Sequence, residues 1–147
     1  MIIQVDENNI NEAARIHSSS WQDSHRWFCE KEFVELHSIE HQRKYLLDKL
    51  NDAYEIFMLL DGEPVGIVSV KENLIEDLYV LPQMQNKGYG TELLKYACQK
   101  CIGKPTLWIL ENNVNAARLY KRFGFTETGR RQAITENLDE IEFELSK

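Results

Sequence analysis

The segment from Tyr54 to Leu110 constrains the fold most. Three β-like runs follow one another, then a glycine-bearing loop, an amphipathic helix and a further β-like run. Tyr54–Leu60 and Val65–Val70 are rich in branched and aromatic side chains, and Asp61-Gly62-Glu63-Pro64 between them is a hairpin turn signal. Leu74–Val80 is the third run, ended by Leu81-Pro82. Beyond the loop, Leu93, Leu94, Ala97, Cys98 and Cys101 recur at helical spacing, predicting a helix from Thr91 to about Cys101 that Gly103 and Pro105 close. Thr106–Leu110 then reads as a strand. Hairpins make antiparallel neighbours, whereas a strand–helix–strand crossover makes a parallel one. The sheet must therefore be mixed, with helices on both faces.

The flanks add to this frame. Ile2–Val5 reads as a first strand. Ile10, Ala13, Ala14 and Ile16 suit a helix capped by Asn8 or Asn9. Residues 18–37 carry Trp21, Trp27, Phe28 and Phe33 without a clear period and read as an irregular loop with a short helix. Ser38 opens a helix through about Leu50, with His41 in place of the acidic half of a capping box. Asn115–Phe123 is a helix stopped by Gly124, and Thr126–Gln132 and Ile141–Leu145 are late strands. The expected order is β-α-α-β-β-β-α-β-α-β-β. With 147 residues, no internal repeat and no linker, the chain is expected to form one α/β (α+β) domain over 1–147.

Composition narrows the classes. The first residues turn polar after three apolar side chains, too short a run for a signal peptide or a membrane span, so a cytoplasmic protein without a membrane partner is expected. Three cysteines make no disulfide framework, and Cys98-x-x-Cys101 falls on the apolar stripe of a helix, where free cysteine packs as a small core residue. The net charge of −7 is unevenly spread: residues 1–82 hold 16 acidic and 7 basic side chains, whereas residues 83–131 hold 9 basic and 3 acidic. A polyanionic ligand is drawn to that middle block. No lysine-arginine run is dense enough to argue for nucleic acid.

The loop Gln85-Asn86-Lys87-Gly88-Tyr89-Gly90 lies in the middle block, between a strand and a helix. The first amides of a helix lack intrahelical partners and sit at the positive end of its dipole. Glycines let that backbone approach a phosphate closely. Amides from Asn86 to Thr91 are thus expected to converge on a phosphate or pyrophosphate, with Lys87 adding a screened charge. The phosphate loop Gly-x-x-x-x-Gly-Lys-Ser/Thr and the dinucleotide fingerprint Gly-x-Gly-x-x-Gly are both absent, since Leu93 stands three residues after Gly90.

Val80-Leu81-Pro82 followed by Gln85 to Gly90 resembles the acyl-CoA-binding motif of the GNAT superfamily of N-acetyltransferases, Gln/Arg-x-x-Gly-x-Gly/Ala after a strand ending in Val-x-Pro. Asn86 stands where many members carry another glycine. Asn113 to Phe125 resembles the second GNAT signature, Asn-x-x-Ala-x-x-x-Tyr-x-x-x-Gly-Phe, and follows a strand as the family pattern expects. The resemblance runs from Tyr54 to Phe125 and implies acetyl-CoA as cosubstrate. By resemblance, the Leu78-Tyr79-Val80 backbone bonds the thioester and pantetheine, Asn113 bonds the pantetheine arm, and Tyr120 is the general acid. Asn113 equally suits a helix cap, and Tyr120 a half-buried helix aromatic. Lys121 and Arg122 either neutralise CoA phosphates or are solvated surface charges.

An amine must be neutral to attack a thioester, so a base or a water path is needed. Glu76 and Asp77 on the third run are the candidates. In a regular strand they face opposite ways, so one at most points into a cleft. Some GNAT enzymes use a glutamate on this strand; the aligned position falls nearer Leu74, on the same face as Glu76. Glu76, then Asp77, and otherwise water, is the order of preference. His37 and His41 are four apart and can share a helix face, but HSIEH lacks the glutamate of His-Glu-x-x-His, which argues against a metal. His25 reads as a surface histidine with substrate contact as the alternative, and Trp21, Trp27 and Phe28 either wall an acceptor pocket or pack in the core. The expected activity is direct acetyl transfer to a primary amine of a small molecule or a protein or peptide, with the acidic first block favouring a cationic amine. A non-catalytic acyl-CoA sensor is the alternative, and a homodimer stays open.

Overall fold

The computed structural model describes residues 1–26 and 29–146, and the side chains of all of these except Ser24 and Phe33. Trp27 and Phe28 lie outside the described residues. The strands are β1 (Ile2–Gln4), β2 (Glu55–Leu60), β3 (Pro64–Lys71), β4 (Leu74–Val80), β5 (Thr106–Leu110), β6 (Phe125–Thr135) and β7 (Leu138–Leu145). The helices are α1 (Ile10–His25), α2 (Lys31–Glu35), α3 (Ile39–Asn51), α4 (Tyr89–Lys100) and α5 (Val114–Phe123), with a 3-10 turn at Pro82–Met84.

The largest departure from the expected elements is α1. It runs on through Ser18-Ser19-Ser20-Trp21 to His25, where an irregular loop was expected, and α2 adds a single turn and a half beyond it. Serine is a poor helix former when its hydroxyl competes for local backbone. Here the hydroxyls are engaged elsewhere: Ser18 Oγ donates to the His37 carbonyl at 2.6 Å, and buried Ser20 Oγ to the Val80 carbonyl at 2.9 Å. Tertiary contacts thus override the weak local preference. Asn9 is the α1 N-cap by position, yet its side chain accepts from Asp6 N and donates to the Gln4 carbonyl. Ser38 caps α3 as expected, accepting from His41 N at 3.2 Å.

The seven strands form one sheet in the order β1-β2-β3-β4-β5-β7-β6. Every pair is antiparallel except β4–β5, as the hairpin-then-crossover pattern requires. Alternation along β2 sends Phe57 and Leu59 to one face and Ile56 and Met58 to the other. The first pair joins Leu93, Leu94 and Ala97 of α4 and Tyr120 of α5; the second joins Ile10, Ala14 and Leu46 of α1 and α3. Cys98 and Cys101 pack against the core on the α4 side. The β3–α4 contact is tight at Gly66, where an added Cβ would lie 2.7 Å from Leu93 Cδ1.

Candidate active site

The parallel pair β4–β5 is joined at one register position, Leu74 with Thr106, and beyond it the strands part. A cleft of 730 Å³ occupies the gap, walled by Ile75–Val80 on one side and Leu107–Leu110 on the other. Leu81 N bonds the Val65 carbonyl across β3, so strand alternation turns the main chain of Val80, and of Leu78 before it, toward the gap. The Val80 carbonyl is already held by Ser20 Oγ and by Gln85 Nε2 at 3.0 Å. Its N–H faces the gap, where β5 no longer offers a partner.

The glycine loop closes one end of this cleft. Gly88 is the N-cap of α4 in the left-handed region (φ 89°), and Asn86 is left-handed too (φ 64°). Asparagine is among the few residues other than glycine that tolerate this conformation. The first intrahelical bond is Glu92 N to the Gly88 carbonyl, which leaves the amides of Tyr89, Gly90 and Thr91 unpaired at the cleft. A Cβ at Gly90 would meet only Leu119 and Val80 at ordinary contact distances (3.8 and 3.9 Å), so what glycine preserves here is open space above the amides. Tyr89 donates its hydroxyl hydrogen bond to Asp61 in the β2–β3 turn, fastening the loop to the sheet.

Helix α5 supplies the opposite wall. Asn113 caps it, its Oδ1 accepting from Ala116 N at 3.3 Å, while its side-chain amide remains a donor at the cleft. Tyr120 is buried against Phe125 and borders the cleft, and no described residue hydrogen-bonds its hydroxyl. Burial, with Asp77 adding to it, pushes its phenol above the ordinary range. Tyr120 therefore keeps its proton through neutral pH. Arg118 and Arg122 also border the cleft, whereas Lys121 pairs outside it with Glu127 at 3.6 Å. Of the expected cofactor residues, Leu78, Tyr79, Val80, Gln85, Asn86, Gly88, Tyr89, Gly90, Thr91 and Asn113 all line the cleft; Lys87 is exposed on the loop and does not.

The expectation that Glu76 and Asp77 face opposite ways is corrected. Ile67 pairs with Tyr79 but Ser69 pairs with Glu76, so Val68 faces two residues, Asp77 and Leu78, and β4 bulges there. Asp77 sits at φ 55°, a conformation few side chains adopt. The bulge turns both carboxylates toward one ammonium: Lys49 Nζ of α3 lies 2.5 Å from Glu76 Oε1 and 2.5 Å from Asp77 Oδ2. Asp77 also accepts from His17 Nε2 (3.1 Å), Tyr45 Oη (3.1 Å) and Ser69 Oγ (2.8 Å). Burial alone would raise its proton affinity, but His17 and Lys49 outweigh it and hold the carboxyl well below its ordinary range. Lys49, against its own burial, is held charged by Asp77 and Glu76. Asp77 is thus saturated by four donors, whereas the Glu76 side chain, 33% exposed, is held by Lys49 with the Tyr54 hydroxyl beside it and borders the cleft. Sequence reading missed His17, Tyr45, Lys49 and Ser69, which come from three elements and carry no motif.

Ser20, Trp21, Asp23 and His25 of α1 and Tyr45 of α3 also line the cleft. His25 is buried, not at the surface as expected, with Nδ1 2.8 Å from the Trp21 carbonyl. Its burial, with His37 and His17 nearby, lowers its pKa to about 4. His25 and His37 stack on Trp21 with centroids 3.9 and 3.4 Å away, so Trp21 offers the cleft an edge and not an open face. His37 precedes the α3 N-cap, so it shares no helix with His41, although the rings are 5.4 Å apart.

Comparison with known proteins bears on the family and the fold. The model of the acetyltransferase (GNAT) family matches residues 13–125. An N-acetyltransferase of Archaeoglobus fulgidus is 25% identical over 134 residues, 81% of this chain and 88% of that one. Among solved structures, a GCN5-related N-acetyltransferase from Rhodopseudomonas palustris superposes with a TM-score of 0.81 at 21% identity, over 100% of this chain and 95% of that one. The PaiA N-acetyltransferase of Thermoplasma acidophilum, solved with coenzyme A, gives 0.69 at 17% identity, over 97% and 96%.

Proposed function

We propose that this chain, which belongs to the acetyltransferase (GNAT) family, acetylates the primary amine of a cationic small molecule or protein by direct attack on acetyl-CoA. When bound, acetyl-CoA supplies the acetyl group on a thioester whose sulfur leaves as a thiolate. The site fits that cosubstrate. Unpaired amides of Tyr89, Gly90 and Thr91 at a helix N-terminus suit a pyrophosphate. The Val80 N–H and the Asn113 side-chain amide suit the amide-bearing arm along the gap, and Arg118 and Arg122 suit phosphate charge.

The observation that carries the reading is Tyr120: a buried phenol, held protonated, its hydroxyl without a hydrogen-bond partner among the described residues, at the wall of the gap that the loop closes. It holds its proton for the leaving sulfur. Glu76 takes the proton of the incoming amine, because its carboxylate, held by Lys49 with Tyr54 beside it, stays partly exposed and borders the same cleft. Asp77 is the poorer base, its oxygens already occupied. At the acceptor end, Asp23 and Glu76 present negative charge, and the cation there, Lys49, is committed to carboxylates. A cationic amine matches that end; because both faces of Trp21 are covered, charge and not ring stacking supplies the match.

Release of CoA thiol across a panel of polyamines, aminoglycosides, lysine peptides and N-terminal peptides tests this reading. Turnover with a cationic amine is expected, and release from no amine overturns it. Acetyl-CoA should raise the melting temperature where NAD and ATP do not.

A further inference from the structure

The reaction as read above uses Glu76 but leaves Lys49 unexplained. Lys49 is 8% exposed, at the end of α3, with its ammonium over the Tyr54 ring at 4.4 Å and the Tyr45 ring at 4.9 Å. Burying an ammonium is costly unless it is paired. Asp77 alone would satisfy that need, and Asp77 is itself held by His17, Tyr45 and Ser69. The second arm, to Glu76, is therefore in excess of what burial of Lys49 requires. A glutamate a third exposed at a cleft wall is free to turn to water; this one is held at 2.5 Å by a fixed cation.

We propose that Lys49 is a positioning residue for the acetyl transfer, fixing the Glu76 carboxylate at the cleft wall and setting, in opposition to Asp77, the charge around it. The proposal rests on the reading of Glu76 as base. Lys49 acts through Glu76 and does not reach the reacting atoms. Glu76 is faced by Lys49 and Tyr45 from α3, by Tyr54 ahead of β2, and by Asp77 and Tyr79 on its own strand, with His17 of α1 acting through Asp77. Burial keeps the three phenols protonated, so Lys49 and Asp77 are the opposed charges that act on Glu76 directly.

An adjacent cation lowers a carboxyl pKa by roughly one to three units, and an adjacent anion raises it. The two neighbours thus give opposite signs. Lys49→Met should move the acid limb of kcat at saturating substrates up by about one pH unit, costing about tenfold in kcat below that limb. Asp77→Asn should move the limb down, and Lys49→Arg should return it toward wild type. The KM for acetyl-CoA should stay within about twofold in all three, since its contacts lie elsewhere. The limb is read from kcat against pH. A purely structural role for Lys49 does not move it. Should Lys49→Met not fold, the near-isosteric Asp77→Asn carries the sign test, and an unmoved or upward limb overturns the proposal. Wild-type kcat in Glu76→Gln overturns the base reading and the proposal with it. Loss of kcat in Glu76→Gln with an unmoved limb in the other variants overturns the proposal alone.

Discussion

Single residues at this site carry more than one physical duty, and their neighbours decide which one shows. Tyr120 packs on Phe125 as a core aromatic while its hydroxyl stands at the cleft wall. Replacing it with Phe keeps the ring and removes only the proton donor. Tyr120→Phe should therefore leave the melting temperature nearly unchanged and lower kcat by about 10²–10⁴-fold at constant KM for acetyl-CoA, the range of a lost general acid. Steady-state kinetics beside a thermal melt checks both halves. Asp77 shows the limit of reading residues singly. Its neighbours in sequence are ordinary strand residues, and period two assigns it the face opposite Glu76. Aspartate tolerates the left-handed region better than most residues, and four donors gathered from α1, α3 and β3 hold it there, so the bulge was invisible before the fold was built.

At the scale of elements, the stretch from Tyr54 to Phe125 was legible because local signals agree there: a turn, a crossover, caps and glycine stops all point to the same elements. Residues 18–25 were not, since their helix depends on Ser18 and Ser20 bonding carbonyls 19 and 60 residues away. Helix α5 offers a clean separation of fold from chemistry. Asn113 caps the helix through its oxygen and faces the cleft with its amide. Asn113→Asp keeps the cap acceptor and loses the donor; Asn113→Ala loses both. We expect Asn113→Asp to hold wild-type stability with a raised KM for acetyl-CoA, and Asn113→Ala to raise KM and also lose about 1 kcal/mol of stability. Equal KM values for wild type and Asn113→Asp would remove Asn113 from the cosubstrate contacts. Denaturant melts and KM for acetyl-CoA measure the two effects.

Across the whole molecule, the site's buried ionisable groups make stability depend on acid in two separate windows. His25 has an ordinary pKa of 6.5 that burial lowers to about 4 in the folded chain. Between those values the unfolded chain binds a proton that the folded chain refuses, so stability falls as pH drops from about 6.5 to 4 and is level above. Near pH 5 the slope from this one group is about 1 kcal/mol per pH unit. Asp77 acts lower. Its folded pKa is depressed below 3.8, so its ion pairs stabilise the fold above that value, and the contribution is lost as pH falls from there through the folded pKa. Asp77 joins α1 to β4 through His17, whereas His25 packs within α1 against Trp21. Denaturant melts from pH 7 to 3 should show wild type losing stability from pH 6.5 downward. His25→Gln should be flatter between 6.5 and 4 and parallel to wild type below. Asp77→Asn should be less stable at pH 7, parallel to wild type down to about pH 4, and flatter beneath it. A His25→Gln profile that parallels wild type throughout would show that His25 titrates as an exposed side chain, and the stacked wall of the acceptor end would then be open to water.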